Sequence, residues 1–273
     1  MRERILEKGI SDEKVLVIPP WSHDVEVRFD AAGRERFRKT HGLDDKFVVM
    51  YSGNHSPCHP LDTLLGAAHQ LAYDPSIVFC FIGGGTEFRK IRRLKSSYTE
   101  VPTHCRALLP SLNPQPSALN LLTLPYRPLF DLPASLSAAD LHVVTMGDPF
   151  VGLVHPCKIY NILPVGARVL YIGPEPSHVT EIFIPTADGT SPPGPEVCNS
   201  ESVFTRAAHG DVQRVVEHIL STRKAKKQPR VQNENFPFSK ATLLPQLLSA
   251  LDSHNFNIPP PLPLARPAGA KGS

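Results

Sequence analysis

Short apolar runs alternate with amphipathic segments between residues 47 and 173, and this alternation predicts a series of strands and helices. Apolar runs predict strands over 47–51, 77–82, 118–124, 141–145 and 168–172. Helical spacing predicts helices over 61–73, 87–95 and 132–139, with another beginning near 156. Strands that alternate with helices predict an α/β fold, a doubly wound parallel sheet with helices on both faces.

The two ends of the chain have weaker patterns. They predict a short first helix, a strand over 14–18, and helices over 31–41, 177–183, 202–220 and 238–251. Proline-spotted segments over 101–116 and 185–199 are predicted loops. The strand over 14–18 has no evident partner strand, which indicates that the first residues are the end of a preceding unit.

The block from Val143 to Gly173 combines a strand, a helix entry, a glycine break and a second strand. Pro156 has the fixed φ of a first helical position, and the helix is expected to end near Gly166. Such a start leaves free N–H groups at the carboxyl edge of the sheet, where anions bind. Lys158 would neutralise a diphosphate there, whereas the alternative interpretation is a proline-started helix with a solvated lysine.

Two glycine-containing loops also follow predicted strands. Gly53 would let a phosphate approach closely, with hydrogen bonds from Asn54 and His55, although a glycine after a strand is often a simple turn. The glycines at 83–85 resemble a phosphate cradle but lack both the lysine of a P-loop and the spacing of a dinucleotide fingerprint. For Cys157 a packing role is predicted, because no acidic group is evident to support it as a nucleophile.

Composition and charge exclude several classes of protein. A hydrophobic share of 41% over 273 residues allows a core, and a formal net charge of +3 argues against a nucleic-acid partner. No apolar run approaches the length of a membrane span, and the charged residues 1–8 do not resemble a signal peptide, so a cytoplasmic location is expected. Five cysteines without a C-x-x-C pair and twelve histidines without H-E-x-x-H predict neither disulfides nor a metal site.

Several motifs, taken in order, resemble one family. They are Y-S-G-N-H-S-P from Tyr51, F-I-G-G-G from Phe81, L-P-Y from Leu124, A-A-D-L-H-V from Ala138 and H-P-C-K-I-Y-N-I-L-x-x-G from His155. Together they resemble the carboxyl-terminal, donor-binding half of GT-B glycosyltransferases, over roughly residues 15–251. The resemblance is to the retaining, family 4-like group that builds bacterial cell-surface polysaccharides. The segment V-I-P-P-W-S-H-D resembles the one that joins the two Rossmann-like domains of that family.

The resemblance implies that a nucleotide-diphosphate sugar binds in the crevice of the sheet. The donor-binding residues that it implies are Gly53, Asn54, His55, Gly84, Tyr126, His155, Pro156, Cys157, Lys158 and Asn161. Tyr126 would lie against the base and Lys158 near the diphosphate. The two glutamates of the family fall at Leu153 and Asn161, and of these only Asn161 could bind the ribose. The family's basic residue after the first loop is replaced by P-C-H-P at 57–60, which leaves phosphate neutralisation to Lys158 or a histidine.

The implied reaction is transfer of a sugar from a nucleotide-diphosphate donor to an acceptor in cell-surface polysaccharide or glycan biosynthesis, without a metal or other cofactor. The expected partners are the donor, a glycan or lipid-linked acceptor and a separate amino-terminal, acceptor-binding domain. The expected location is the cytoplasm, including the inner face of the cell membrane. The implied organisation is an interdomain remnant (1–30), a donor-binding Rossmann-like domain (31–222), a basic linker with a C-terminal helix (223–253) and a disordered, proline-rich tail (254–273).

Three alternatives remain open at this point. The chain could be a non-catalytic or truncated nucleotide-sugar-binding domain that needs a separate acceptor domain, and an exposed apolar docking face would favour this. A nucleotide-sugar epimerase of the same architecture would need acidic and histidine residues across a cleft between two domains. A Rossmann-type oxidoreductase would need G-x-G-x-x-G after a strand, and the sequence has none.

Overall fold

The structure is a computed structural model that describes residues 2–23, 25–99, 119–183, 203–225 and 237–253. Within them, one parallel sheet has the strand order β3-β2-β1-β4-β5-β6. The strands are β1 (Phe47–Asn54), β2 (Ile77–Gly84), β3 (Leu121–Leu124), β4 (Leu141–Thr145), β5 (Arg168–Ile172) and β6 (Phe204–Ala207). The winding direction reverses between β1 and β4, and open α/β sheets bind ligands outside the carboxyl ends of the strands at such a point.

Helices cover both faces of this sheet. They are α1 (Arg2–Leu6), α2 (Ala31–Thr40), α3 (Asp62–Gln70), α4 (Phe88–Thr99), α5 (Leu132–Ser137), α6 (Lys158–Ile162), α7 (His178–Phe183), α8 (Val212–Lys224) and α9 (Lys240–Ser253). The helices α3, α4 and α8 contribute to the core on one face, and α2, α5, α6, α7 and α9 contribute to the core on the other. The doubly wound α/β fold predicted from the sequence is therefore confirmed.

The alternation of side chains along each strand divides the core between the two faces. In β1, Val49 and Tyr51 pack on the α3 face, whereas Val48 and Met50 pack on the α2 face. All four are buried, because successive side chains of a strand point to opposite faces and both faces of this sheet are covered. These strands therefore read as continuous apolar runs in the sequence.

Three predictions, one of a helix and two of strands, need correction. The helix predicted over 202–220 is wrong at its start, because Phe204–Ala207 form the strand β6, which pairs with β5. The strand predicted over 14–18 is wrong. Residues Asp12–Lys14 form a 3₁₀ turn, and no strand of the described sheet provides the backbone hydrogen bonds that an isolated extended segment needs. Strands β1 and β2 extend past their predicted ends, so the first glycine loop is partly a paired strand.

Several predictions lie outside the described residues. These are the loops over 101–116 and 185–199, the first residue of the strand predicted over 118–124, most of the basic linker and the tail over 254–273. The remaining helices and strands agree with the sequence predictions to within a few residues at each end.

Candidate functional site

The carboxyl ends of β1 and β2 hold the two glycine segments side by side. Gly53 pairs with Gly83, and Asn54 pairs with Gly84, in the parallel register. A Cβ atom at Gly83 would lie 2.0 Å from the Gly53 carbonyl oxygen, and Gly83 has a φ of 134°, so only glycine fits there. The His55 amide donates a hydrogen bond to the Gly84 carbonyl at 2.8 Å. The two segments therefore form one hydrogen-bonded edge.

Tyr126, which follows β3, lies against this edge. Its hydroxyl is 3.2 Å from the Gly84 carbonyl oxygen and 3.3 Å from the Asn54 side-chain oxygen. A Cβ atom at Gly84 would lie 3.0 Å from a ring carbon of Tyr126, so the glycine lets the ring approach the backbone. The Tyr126 side chain is 58% exposed. It therefore presents an aromatic surface on which a flat ring can stack.

Lys158, the first residue of α6, brings an ammonium group to the Gly53 segment. Its Nζ lies 3.5 Å from the ring centroid of Tyr51 and would lie 3.5 Å from a Cβ atom at Gly53. This nitrogen is buried and has no hydrogen-bond partner within the described residues. Burial lowers the pKa of Lys158 well below its usual value. An anion beside the ammonium would raise that pKa and provide the missing hydrogen-bond acceptor.

Two buried histidines lie close to Lys158. His55 is fully buried, and neither of its ring nitrogens makes a hydrogen bond of ordinary geometry. The Nδ1 of His59 lies 2.7 Å from the Thr145 carbonyl oxygen. Burial, followed by the charge of Lys158, lowers the pKa of each histidine to about 4. Both imidazoles are therefore neutral at neutral pH, and Lys158 is the group at this edge that an adjacent anion would hold in its charged form.

Sequence reasoning did not identify Tyr51 or His59 as members of this site. Tyr51 lies two residues before Gly53 in β1, and the period of two in a strand was the available signal. His59 lies in the segment that replaces the family's basic residue. Its contact with Thr145 joins the loop after β1 to β4, and nothing in the local sequence indicates that long-range contact.

The predicted helix start at Pro156 is partly wrong. Helix α6 begins at Lys158, so Pro156 precedes the helix instead of occupying its first position. Three amides over 157–160 donate to the carbonyls of 155–157 at 2.9 to 3.2 Å, so these N–H groups are not free for an anion. Helix α6 is short because Pro164 has no N–H to continue it, and a 3₁₀ turn follows. The positive character of the site therefore comes from Lys158 and not from a helix terminus.

The other predicted residues of the 155–161 segment contact different partners. His155 Nε2 lies 2.7 Å from the Tyr160 hydroxyl, and Cys157 is exposed. The side-chain oxygen of Asn161 accepts a hydrogen bond from the His23 amide at 3.1 Å. The predicted residues that the structure brings together at the sheet edge are Gly53, Asn54, His55, Gly84, Tyr126 and Lys158.

This arrangement suits an anion that carries a planar ring. A buried cation without an acceptor faces backbone that lacks a side chain at Gly53, and an exposed aromatic ring lies at the neighbouring strand end. Among the described residues, no group of three or more His, Cys, Asp and Glu is placed to hold a metal ion. None of the helices in that part of the chain has the length and apolar character needed to cross a bilayer.

Comparison with known sequences relates the chain to a glycosyltransferase. No protein-family model matches the chain. Over 172 residues, 62% of the chain, it is 27% identical to the Escherichia coli K12 protein WcaI, whose name describes a glycosyl transferase of colanic acid biosynthesis. The match covers 38% of WcaI, so the chain corresponds to well under half of that relative.

Solved structures of similar fold include Anabaena HepE in complex with UDP. The TM-score is 0.66 at 16% identity, and the match covers 92% of this chain and 61% of HepE, which has also been solved with UDP-glucose. WaaG, described as a glycosyltransferase of lipopolysaccharide biosynthesis, has a TM-score of 0.53 at 13% identity, and the match covers 80% of this chain and 49% of WaaG. These likenesses confirm the Rossmann-like fold predicted from the sequence.

Proposed function

We propose that the chain is the donor-binding part of a glycosyltransferase. The enzyme would transfer a sugar from a nucleotide-diphosphate donor to a glycan or lipid-linked acceptor in cell-surface polysaccharide biosynthesis. The observation that carries the proposal is the meeting of Lys158, Gly53 and Tyr126 at the carboxyl edge of the sheet. The likeness to UDP-bound HepE supports a nucleotide-diphosphate donor, and the likeness to WcaI supports a cell-surface polysaccharide as the product.

Each of these residues has a separate task in the proposed reaction. Lys158 binds the diphosphate, and the absence of a side chain at Gly53 lets a phosphate oxygen reach the ammonium. Negative charge grows on the diphosphate as the bond to the sugar breaks, and the same ammonium stabilises it without a metal ion. The base stacks on Tyr126, while the side chain of Asn54 bonds to the donor. We name no catalytic base.

Removing the charge of Lys158 tests this proposal. We expect Lys158→Met to weaken binding of the nucleotide sugar by about 10-fold or more, because a hydrogen bond to a charged group contributes roughly 1.5–3 kcal/mol. The measurement is isothermal titration of the chain with UDP, GDP and their sugars. Unfolding by urea, followed by circular dichroism, verifies that the variant is folded.

Lys39→Met is the matched control for this titration. Lys39 is exposed near the end of α2, which leads into the start of β1 at the opposite edge of the sheet. The control variant loses the same charge and should bind the donor as the unsubstituted chain does. Equal affinity of Lys158→Met and the unsubstituted chain would contradict the assignment of Lys158 to the diphosphate.

The finer assignments belong to the same proposal. The chain would correspond to the carboxyl-terminal half of a retaining, family 4-like enzyme that acts in the cytoplasm at the inner face of the membrane. His155, Pro156, Cys157 and Asn161 stay predicted donor ligands, and Asn161 would reach the ribose through its amide nitrogen, because its oxygen accepts from His23. Proton NMR of the anomeric centre of the first product distinguishes retention from inversion.

Exposed apolar side chains favour a second candidate, a donor-binding domain that needs a separate acceptor-binding partner. The segment before α2 exposes Leu16 and Val17, which are 57% and 61% accessible, and α9 exposes Leu248 and Leu251. The residues that line an open groove between the two are Leu16, Val17, Ile18, Pro245, Gln246, Ser249 and Ala250. Apolar surface of this kind marks protein interaction sites.

Turnover by the chain alone separates the two candidates. The assay measures UDP release from a UDP-sugar that the chain binds, in the presence of membranes from cells that make surface polysaccharide. Saturable binding of the UDP-sugar, with no more UDP release than in a blank without protein, supports a donor-binding domain that needs a partner. Release that depends on the chain and on Lys158 contradicts it.

A further inference from the structure

Tyr51 lies directly beneath the residues that form the candidate site, although its own side chain is fully buried. It is the fourth residue before His55 and belongs to the core on the α3 face of β1. The residue contacts Lys158, Asn54 and His55 through three different parts of its structure. The proposed function assigns Lys158 and Asn54 to the donor, and the sequence predicts His55 as a donor ligand.

The face of the Tyr51 ring receives the Lys158 ammonium. The Nζ of Lys158 lies 3.5 Å from the ring centroid, within the range of a cation–π interaction. Such an interaction is strongest where water is excluded, and this Nζ is buried without a hydrogen-bond partner in the described part of the chain. The ring is therefore the contact that holds the Lys158 amino group beside Gly53 and favours its charged form.

The hydroxyl of Tyr51 reaches the end of its own strand. It donates a hydrogen bond to the Asn54 carbonyl at 3.0 Å. Burial raises the pKa of Tyr51, so the hydroxyl keeps its proton and stays a donor. The bond holds the last residue of β1, whose side-chain oxygen lies 3.3 Å from the Tyr126 hydroxyl.

The edge of the same aromatic system contacts His55. The two rings have centroids 4.7 Å apart and an interplanar angle of 60°, which is an edge-to-face arrangement. The Phe88 ring also lies against the imidazole, with ring centroids 4.8 Å apart and an interplanar angle of 63°. The His55 ring is thus packed against two aromatic rings, while its amide is held by the hydrogen bond to Gly84.

We propose that Tyr51 is the positioning residue of the donor site: its ring holds the Lys158 ammonium in place for the diphosphate, and its hydroxyl holds the end of β1. The proposal rests on the proposed function, because it assumes that Lys158 binds the donor. Tyr51 does not touch the ligand and acts through Lys158 and Asn54. The ring and the hydroxyl have separable effects, and the ring has the larger one.

The contact with the ring can be measured in the free protein. A proton above an aromatic face resonates upfield, so the Hε protons of Lys158 should lie upfield of those of other lysines in a ¹H–¹³C correlation spectrum. Lys158→Arg identifies the signal by removing it. The upfield signal should persist in Tyr51→Phe and return to the ordinary lysine position in Tyr51→Leu. Absence of an upfield lysine signal in the unsubstituted chain would overturn the proposal without any variant.

The effect on the donor is measured by titration with UDP-glucose. We expect Tyr51→Leu to bind about 10-fold more weakly and Tyr51→Phe to bind within about 3-fold of the unsubstituted chain, from the strength of a desolvated cation–π contact. Tyr51→Met replaces Tyr51→Leu if the latter does not fold. Phe79→Leu is the matched control, because Phe79 is buried on the same face of the sheet in β2. It should change neither the lysine signal nor the affinity.

The possible outcomes separate this proposal from the proposed function. If the unsubstituted chain does not bind UDP-glucose or another nucleotide sugar, the proposed function fails, and the role of Tyr51 toward a donor fails with it. If the chain binds the donor but Tyr51→Leu binds it equally well or more tightly, only the role of Tyr51 fails. A loss of affinity in Phe79→Leu equal to that in Tyr51→Leu would also overturn it, because the effect would then be a general loss of core packing.

Discussion

At the residue scale, Lys158 occupies a position where its charge is costly without a ligand. Burial lowers its pKa, and the neighbouring histidines, His55 and His59, have pKa values of about 4. A bound diphosphate favours the charged form of all three groups. We therefore expect the pKa of Lys158 to be higher in the complex than in the free chain, so that donor binding takes up protons at a pH between those two pKa values.

This linkage predicts that donor affinity falls as the pH rises from the pKa of Lys158 in the free chain to its higher pKa in the complex, and that it levels off above the latter. Proton uptake is measured by titrating UDP-glucose, which has no titrating phosphate near neutral pH, in two buffers of different ionisation enthalpy. The apparent binding enthalpy should depend on the buffer in the unsubstituted chain and much less so in Lys158→Met. An enthalpy that is the same in both buffers would contradict the burial of an amine at the donor site.

Local sequence motifs identified part of the candidate site and missed the rest. Gly53 and His55 follow a strand that its apolar run predicts, so their place at the sheet edge could be foreseen. The contact of Lys158 with Tyr51 could not be foreseen, because it depends on where the chain after β4 places the Lys158 side chain relative to β1. The hydrogen bond from His23 to Asn161 joins two segments that are distant in sequence, and no periodicity records it.

At the element scale, Asp140 ties α2 to the central strands. Its carboxylate accepts hydrogen bonds from Arg34 at 2.6 Å, from Arg38 at 3.1 Å and from the Val48 amide of β1 at 2.8 Å. Burial raises the pKa of Asp140, but the two guanidinium groups and the amide outweigh it, so the pKa is lowered. The carboxylate of Asp140, immediately before β4, thus fixes the position of α2 on one face of the sheet.

We expect Asp140→Asn to lower the free energy of unfolding by about 3 kcal/mol at pH 7, because it leaves partly buried guanidinium charges unpaired. Asp131→Asn, which removes a partner 3.9 Å from Arg127 at the surface, should cost less than about 1 kcal/mol. Because the folded pKa of Asp140 is depressed, its contribution is present above about pH 3.9 and is lost as the pH falls through the folded value. Urea unfolding measures this at pH 7 and pH 3. The difference in free energy of unfolding between the unsubstituted chain and Asp140→Asn should be smaller at pH 3 than at pH 7. The same difference at both pH values would contradict a depressed pKa for Asp140 in the folded chain.

At the scale of the whole molecule, Phe238 joins the two ends of the described chain to the sheet. The residue is buried, its ring lies 5.0 Å from the Tyr160 ring of α6, and its carbonyl accepts a hydrogen bond from the Ser22 amide at 2.9 Å. Helix α9 adds Leu243 to the same core. The segment before α2 and the last helix therefore meet beside the helix that carries Lys158.

We expect Phe238→Ala to lower the free energy of unfolding by about 3–5 kcal/mol, because it removes a buried aromatic ring. Donor affinity should fall as well, since the ring supports α6. Leu248→Ala is the control on α9: Leu248 is 52% exposed, and its loss should cost less than about 0.5 kcal/mol. Urea unfolding and titration with UDP-glucose measure the two effects. A Phe238→Ala variant as stable as Leu248→Ala would show that α9 is not anchored through this ring.

The sequence by itself determined the fold class, most strands and helices, and the sheet edge that carries the candidate site. It could do so because apolar periodicity and glycine or proline signals are local, so neighbouring residues record them. Only the tertiary structure decided that Phe204–Ala207 join the sheet, that α6 begins at Lys158 and that its ammonium lies over Tyr51. Those features depend on pairings between distant segments, and a pairing of that kind leaves no periodic pattern in either segment alone.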